Sequence, residues 1–134
     1  MSKHETPLTR WYHNQIGGSL IEEFRAVHRT AHQSHRDIDG LILHDNSNRI
    51  VPRTEFDPAE IQGKPVTIIQ TKASRLGMYL AGQTLFSVEL LKPFRPRTIT
   101  SIALCTKDDA TIRPLLEAHA NCKVDIAPPE AASF

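Results

Sequence analysis

Apolar residues recur along this chain in two rhythms, one near 3.6 residues and one near 2, and the switches between them outline its elements. Residues 1–16 carry no clear period and read as a short helix or an arm. Gly17-Gly18-Ser19 punctuates the chain. Leu20, Ile21, Phe24, Val27 and His28 then fall at helical spacing, which predicts a helix from about Ser19 to Ala31 with Ser19 as N-cap. Arg36 to Leu43 reads as a strand, residues 44–48 as a turn, and Arg49 to Val51 as a returning hairpin partner. Pro52 to Lys64 is a loop, with one helical turn after Asp57-Pro58.

Val66 to Thr71 is nearly all apolar or β-branched, the mark of a strand covered on both faces. Apolar positions 76, 80, 85, 88 and 91 predict a helix that Pro93 and Pro96 stop. A strand over Thr98 to Cys105, a helix over about Asp109 to Ala120, a short strand over Lys123 to Ile126 and a frayed tail over 127–134 complete the chain. Strands alternating with helices imply an α/β domain whose mixed sheet carries helices on both faces. One domain is expected over 1–134, with its core in about 17–126.

Composition narrows the function classes. The 134 residues are 40% hydrophobic and 23% charged, ordinary values for a globular domain, and the net charge of +1 does not announce a polyanion binder. Attraction to phosphate must then come from local clusters. Met1 to Trp11 has no leader pattern, and no apolar run approaches the roughly 18 residues of a membrane helix. Two cysteines, Cys105 and Cys122, make no disulfide framework and read as small buried hydrophobes. A cytoplasmic protein without a membrane segment is the expectation. His28, His32 and His35 lack the carboxylate or cysteine that would complete a zinc pattern, and read as a solvated helix end.

Two strands hold polar residues that a core strand does not need. Gln70 and Lys72 lie two apart and share a face, as do Asp37 and Asp39. A carboxylate, an amide oxygen and an ammonium at strand ends are suited to a divalent cation and a phosphate, the material of metal-assisted phosphodiester hydrolysis. On the preceding segment Glu22 completes a Ser19-x-x-Glu22 capping box, while helical periodicity puts Glu23 closer to the apolar stripe.

In Ile38-Asp39-Gly40-Leu41-Ile42, Ile68-Ile69-Gln70-Thr71-Lys72 and Leu20-Ile21-Glu22-Glu23-Phe24, the chain resembles the PD-(D/E)XK nuclease superfamily of restriction-endonuclease-like fold over about residues 17–106. The superfamily pattern is an acid on the first helix, an aspartate on the next strand, and an acid-x-lysine pair on the strand after. The acid of that pair is Gln70 here, a form that Mrr-type restriction enzymes and transposon end-cleaving nucleases resemble. The resemblance implies a Mg²⁺- or Mn²⁺-dependent endonuclease acting on DNA rather than RNA. Its catalytic set is Glu22, Asp39, Gln70 and Lys72, with Asp39, Gln70 and the Thr71 carbonyl as metal ligands. It also favours Glu22 over Glu23, and Gln83 facing the site. Lys92, Arg95 and Arg97 are the expected phosphate contacts. A homodimer, or a place in a larger complex, would bring two sites to two strands. The rival readings are a catalytically inactive nucleic-acid-binding or assembly module of the same fold, and a small α/β domain whose motif match is coincidental.

Overall fold

The computed structural model describes residues 5–134. Its elements are α1 (Thr6–Ile16), β1 (Gly18–Val27), β2 (Arg36–Leu43), β3 (Asn48–Ile50), β4 (Pro65–Arg75), α2 (Met78–Leu91), β5 (Thr98–Lys107), α3 (Ile112–Glu117) and β6 (Cys122–Ile126), with single 3₁₀ turns at Pro58–Ile61, Lys92–Phe94 and Pro129–Ser133. The six strands form one mixed sheet in the order β3-β1-β2-β4-β5-β6. β1, β2 and β4 run antiparallel to their neighbours in that series, and β4, β5 and β6 are parallel. Helices cover both faces, as the alternation of elements implies. On one face Leu8 of α1 packs with Leu20, Ile42, Ile69, Ile102, Leu104 and the buried Ala131. On the other, α2 and α3 pack through Leu80, Val88, Leu91 and Leu116. β5 shows the strand period cleanly, with Ile102 and Leu104 toward α1 and Ala103 and Cys105 toward α2.

The predicted helix over 19–31 is instead β1. The misreading has a physical cause. Ile21 and Phe24 are three apart yet sit in the same core cluster, because Glu23 between them adopts a left-handed φ of 51° and exchanges the faces of the strand without changing its register, which shifts only between Arg25 and Val27. β2 exchanges faces at the same rung: Ile38 and Leu41 share that cluster, and the β1–β2 ladder passes from Glu22↔Gly40 to Phe24↔Ile38 with no Glu23–Asp39 pair. A strand that changes phase mimics a helical stripe. Ser19 is therefore no N-cap. Its hydroxyl donates to Asp45 Oδ2 at 2.6 Å and accepts from Arg49 Nε at 3.0 Å.

Other boundaries also move. β3 pairs with β1 in parallel instead of returning against β2, whose second edge β4 occupies. The helix after Asp109 is confined to six residues, and that of residues 76–91 begins at Met78, leaving Leu76 buried in the preceding turn. The tail is not frayed, since its 3₁₀ turn seats Ala131 beneath α1. The three histidines lie in the β1–β2 connection and its margins, not on a helix.

Candidate active site

β2 and β4 part company at one point. Their ladder ends at Gly40↔Ile69, and the next residue on β2 is Asp39. Beyond that point the Asp39 side chain takes the place of a ladder carbonyl: its Oδ2 accepts from the Thr71 backbone N–H at 3.0 Å and from Thr71 Oγ1 at 3.1 Å. The Asp39 N–H in turn reaches Gln70 Oε1 at 3.4 Å. The fork is filled by side chains of the very residues singled out in the sequence.

α1 closes the fork from one side. Its Thr9 packs over Gly40, where a Cβ would stand 2.8 Å from Thr9 Cγ2 and 3.2 Å from Leu20 Cδ1. Glycine is required there because helix and strand approach too closely for a side chain. α1 also brings Glu5, its N-cap residue, within electrostatic reach of Asp39. Burial pushes the Asp39 carboxyl above the usual carboxylate range; the charge of Glu5 adds to the rise, while the two Thr71 bonds and the positive charge of the chain's N-terminus oppose it.

The other side of the fork belongs to α2. Gln70 is buried and its Nε2 donates to Ser87 Oγ at 2.8 Å, which donates to the Gln83 carbonyl at 2.6 Å. Gln70, Gln83 and Ser87 line a cavity of about 180 Å³ with Arg36, Tyr79 and Phe86. Lys72 follows Gln70 by two residues and is exposed, so the two leave the same face of β4.

Glu22 and Asp37 are matched to cations. Glu22 lies on β1, not on the first helix, and is held by Arg10 through a paired contact of 3.1 and 2.9 Å. Asp37 does not join Asp39. Arg25 clamps it at 2.9 and 3.2 Å, with Arg53 at 3.5 Å, and that clamp holds its carboxyl below the usual range. Asp39, by contrast, has no cationic partner among the described residues, and no three His, Cys, Asp or Glu side chains there gather into a metal-holding group. A cation at the fork would have to combine Asp39 with neutral oxygens.

Lys92, Arg95 and Arg97 stand at the opposite end of the sheet. Their connector is tied to the start of β4 by Gly63 N–H to the Arg95 carbonyl and Arg97 N–H to the Lys64 carbonyl, both 2.9 Å, and Lys92 bridges Glu89 at 2.7 Å. Seven steps of extended strand separate Pro65 from Lys72, about 23 Å. Arg36, Lys72, Arg75 and Lys107 are among the cations at the Asp39 end, the last two facing each other across the β4–β5 ladder, with Arg75 Nη1 donating to the Asp108 carbonyl. They are scattered along the sequence and form no run, so only the sheet register collects them. Glu5 leaves no signal in the sequence, because residues 1–16 show no period.

No protein-family model, curated protein or solved structure matches this chain. Among the described residues, no helix is long and apolar enough to cross a membrane.

Proposed function

We propose that this protein is a metal-dependent nuclease of restriction-endonuclease-like fold that hydrolyses phosphodiester bonds in DNA. One observation carries the reading: Asp39, a half-buried carboxylate without a cationic partner among the described residues, sits where β2 and β4 diverge, directly against the Gln70-Thr71-Lys72 segment. Burying negative charge is costly unless something positive answers it. Glu5 increases that negative charge, and the N-terminal charge offsets it without restoring the ordinary carboxylate range. The donors present are hard oxygens, which suit Mg²⁺ or Mn²⁺: the Asp39 carboxylate, the Gln70 amide oxygen and the Thr71 carbonyl. Both Thr71 bonds fall on Asp39 Oδ2, so Oδ1 is the oxygen available to a ligand. When bound, such a cation supplies Lewis acidity to a phosphate oxygen and acidifies a coordinated water.

The chain's own groups have separate tasks in this reading. Lys72 holds an attacking water or balances charge building on the phosphate. Glu5, on the first helix, takes the position that the superfamily resemblance gave to Glu22, which Arg10 already neutralises. Arg36, Arg75 and Lys107 receive the phosphates on either side of the cut. Gln83 and Ser87 keep the Gln70 amide oriented.

A second reading, a nucleic-acid-binding or assembly module that has lost catalysis, draws on the fact that the Gln70 amide is already engaged at both ends. Incubation with labelled DNA and RNA under Mg²⁺, Mn²⁺ and EDTA separates the two. Metal-dependent cleavage of DNA that Asp39→Ala and Lys72→Ala abolish, with the fold intact, is the expected result. Tight binding without cleavage in either metal selects the module, and unimpaired turnover by folded Asp39→Ala rules out the proposed chemistry.

A further inference from the structure

α2 exposes a face that an ordinary surface helix would not. Met78 is 80% exposed, Tyr79 78%, Phe86 66% and Leu85 38%, and Leu115 of α3 beside them is 64% exposed. Stepping about 100° per residue, the four α2 side chains lie within an arc of roughly 120°. Gly82 occupies the middle of that arc, with nothing within 4 Å of where its Cβ would stand. Between α2 and α3 the surface sinks into a groove of about 240 Å³ lined by Met78, Gly82, Leu85, Leu115 and His119. A glycine in the middle of a helix weakens it, and one centred in an apolar face lets another backbone approach closely.

The arrangement about Gly82 is self-complementary. Met78 and Phe86 lie four residues to either side of it, and Tyr79 and Leu85 three. We infer that a second copy of this chain covers this face, with the two α2 helices antiparallel and crossing on a two-fold axis at Gly82. Met78 of each copy then meets Phe86 of the other, and Tyr79 meets Leu85, the reciprocal contacts that an isologous interface requires. The apolar area alone is more than half of what a stable dimer buries per partner. At roughly 150 Å² for a large exposed apolar side chain, these five offer on the order of 500 Å² per copy. A polar rim of Gln83, Glu89 and His119 carries this toward the ~800 Å² per partner of a stable interface. Because Tyr79 and Phe86 also border the Gln70 cavity, the axis brings the two cavities alongside each other. The inference rests on this face alone and not on the nuclease reading.

Analytical ultracentrifugation of the full chain between about 1 and 100 μM is expected to report twice the 15.1 kDa chain mass. Phe86→Glu should raise the dissociation constant at least tenfold while leaving the circular dichroism spectrum unchanged, since the side chain is mostly exposed. Gly82→Cys should form a disulfide-linked dimer under mild oxidation. Glu55→Cys, an exposed position on a distant loop, should not, and the native Cys105 and Cys122 are buried. A monomer throughout the range overturns the inference. So does a dimer that Phe86→Glu leaves intact and Gly82→Cys does not cross-link, because its interface then lies elsewhere.

Discussion

Asp39 receives both of its side-chain hydrogen bonds from Thr71, and neither donor carries a charge. Burial, reinforced by Glu5, therefore raises its proton affinity above that of the unfolded chain. A carboxyl whose folded pKa is raised contributes stability at acidic pH that is lost as pH climbs through that pKa. At neutral pH the ionised Asp39 thus costs stability, as functional carboxylates often do. Asp39→Asn removes the charge and keeps an oxygen for the Thr71 N–H. Its melting temperature at pH 7 should equal or exceed the wild type's by a few degrees, the gap closing toward pH 4. A markedly lower value at pH 7 would mean that burial does not set the proton affinity of Asp39. The identity of these residues is plain in the sequence. Their connection is not, because neither the end of the β2–β4 ladder nor the approach of Glu5 leaves a local pattern.

Two glycines test the elements that frame the site, with opposite signs. At Gly40 an added methyl collides with Thr9 of α1 and crowds Leu20, so Gly40→Ala should cost about 1–3 kcal/mol in urea denaturation and shift α1, and Glu5 with it. At Gly82 the same methyl meets nothing, so Gly82→Ala should raise the stability of the monomer by about 0.5–1 kcal/mol. If two α2 helices cross at Gly82, that variant also dimerises more weakly, a combination that a solvent-facing glycine does not produce. The helix predicted over 19–31 fails at this same level. Glu22 and Glu23 look like neighbours on a helix face because one left-handed residue makes a strand imitate a period of 3.6.

Across the whole molecule, charge is divided between the two ends of the sheet. Lys92, Arg95 and Arg97 form the conspicuous run in the sequence, but Arg36, Lys72, Arg75 and Lys107 share the end with Asp39. Each phosphate neutralised on duplex DNA steepens the dependence of log K on log salt by about 0.9. If the chain binds duplex DNA as proposed, replacing Arg75 and Lys107 with Ala should flatten that slope by up to about two units, for every DNA sequence alike. The Lys92/Arg95/Arg97 triple replacement should leave it nearly unchanged. Fluorescence anisotropy over a salt series distinguishes the two. A slope that responds only to the triple set would move the nucleic acid to the other end of the sheet.

The α/β class, the strands β2, β4, β5 and β6, the helix α2 and the candidates Asp39, Gln70 and Lys72 all follow from the sequence, because each depends on local periodicity or on residue chemistry within a few positions. The phase shift at Glu23 and Asp39, the parallel pairing of β3 and the placing of Glu5 depend on contacts between segments far apart in the chain. So do the pairing of Glu22 with Arg10 and of Asp37 with Arg25, which removes both carboxylates from the site. Strand register and helix packing decide which charges are answered within the protein and which are left facing outward, and no window of sequence contains both partners.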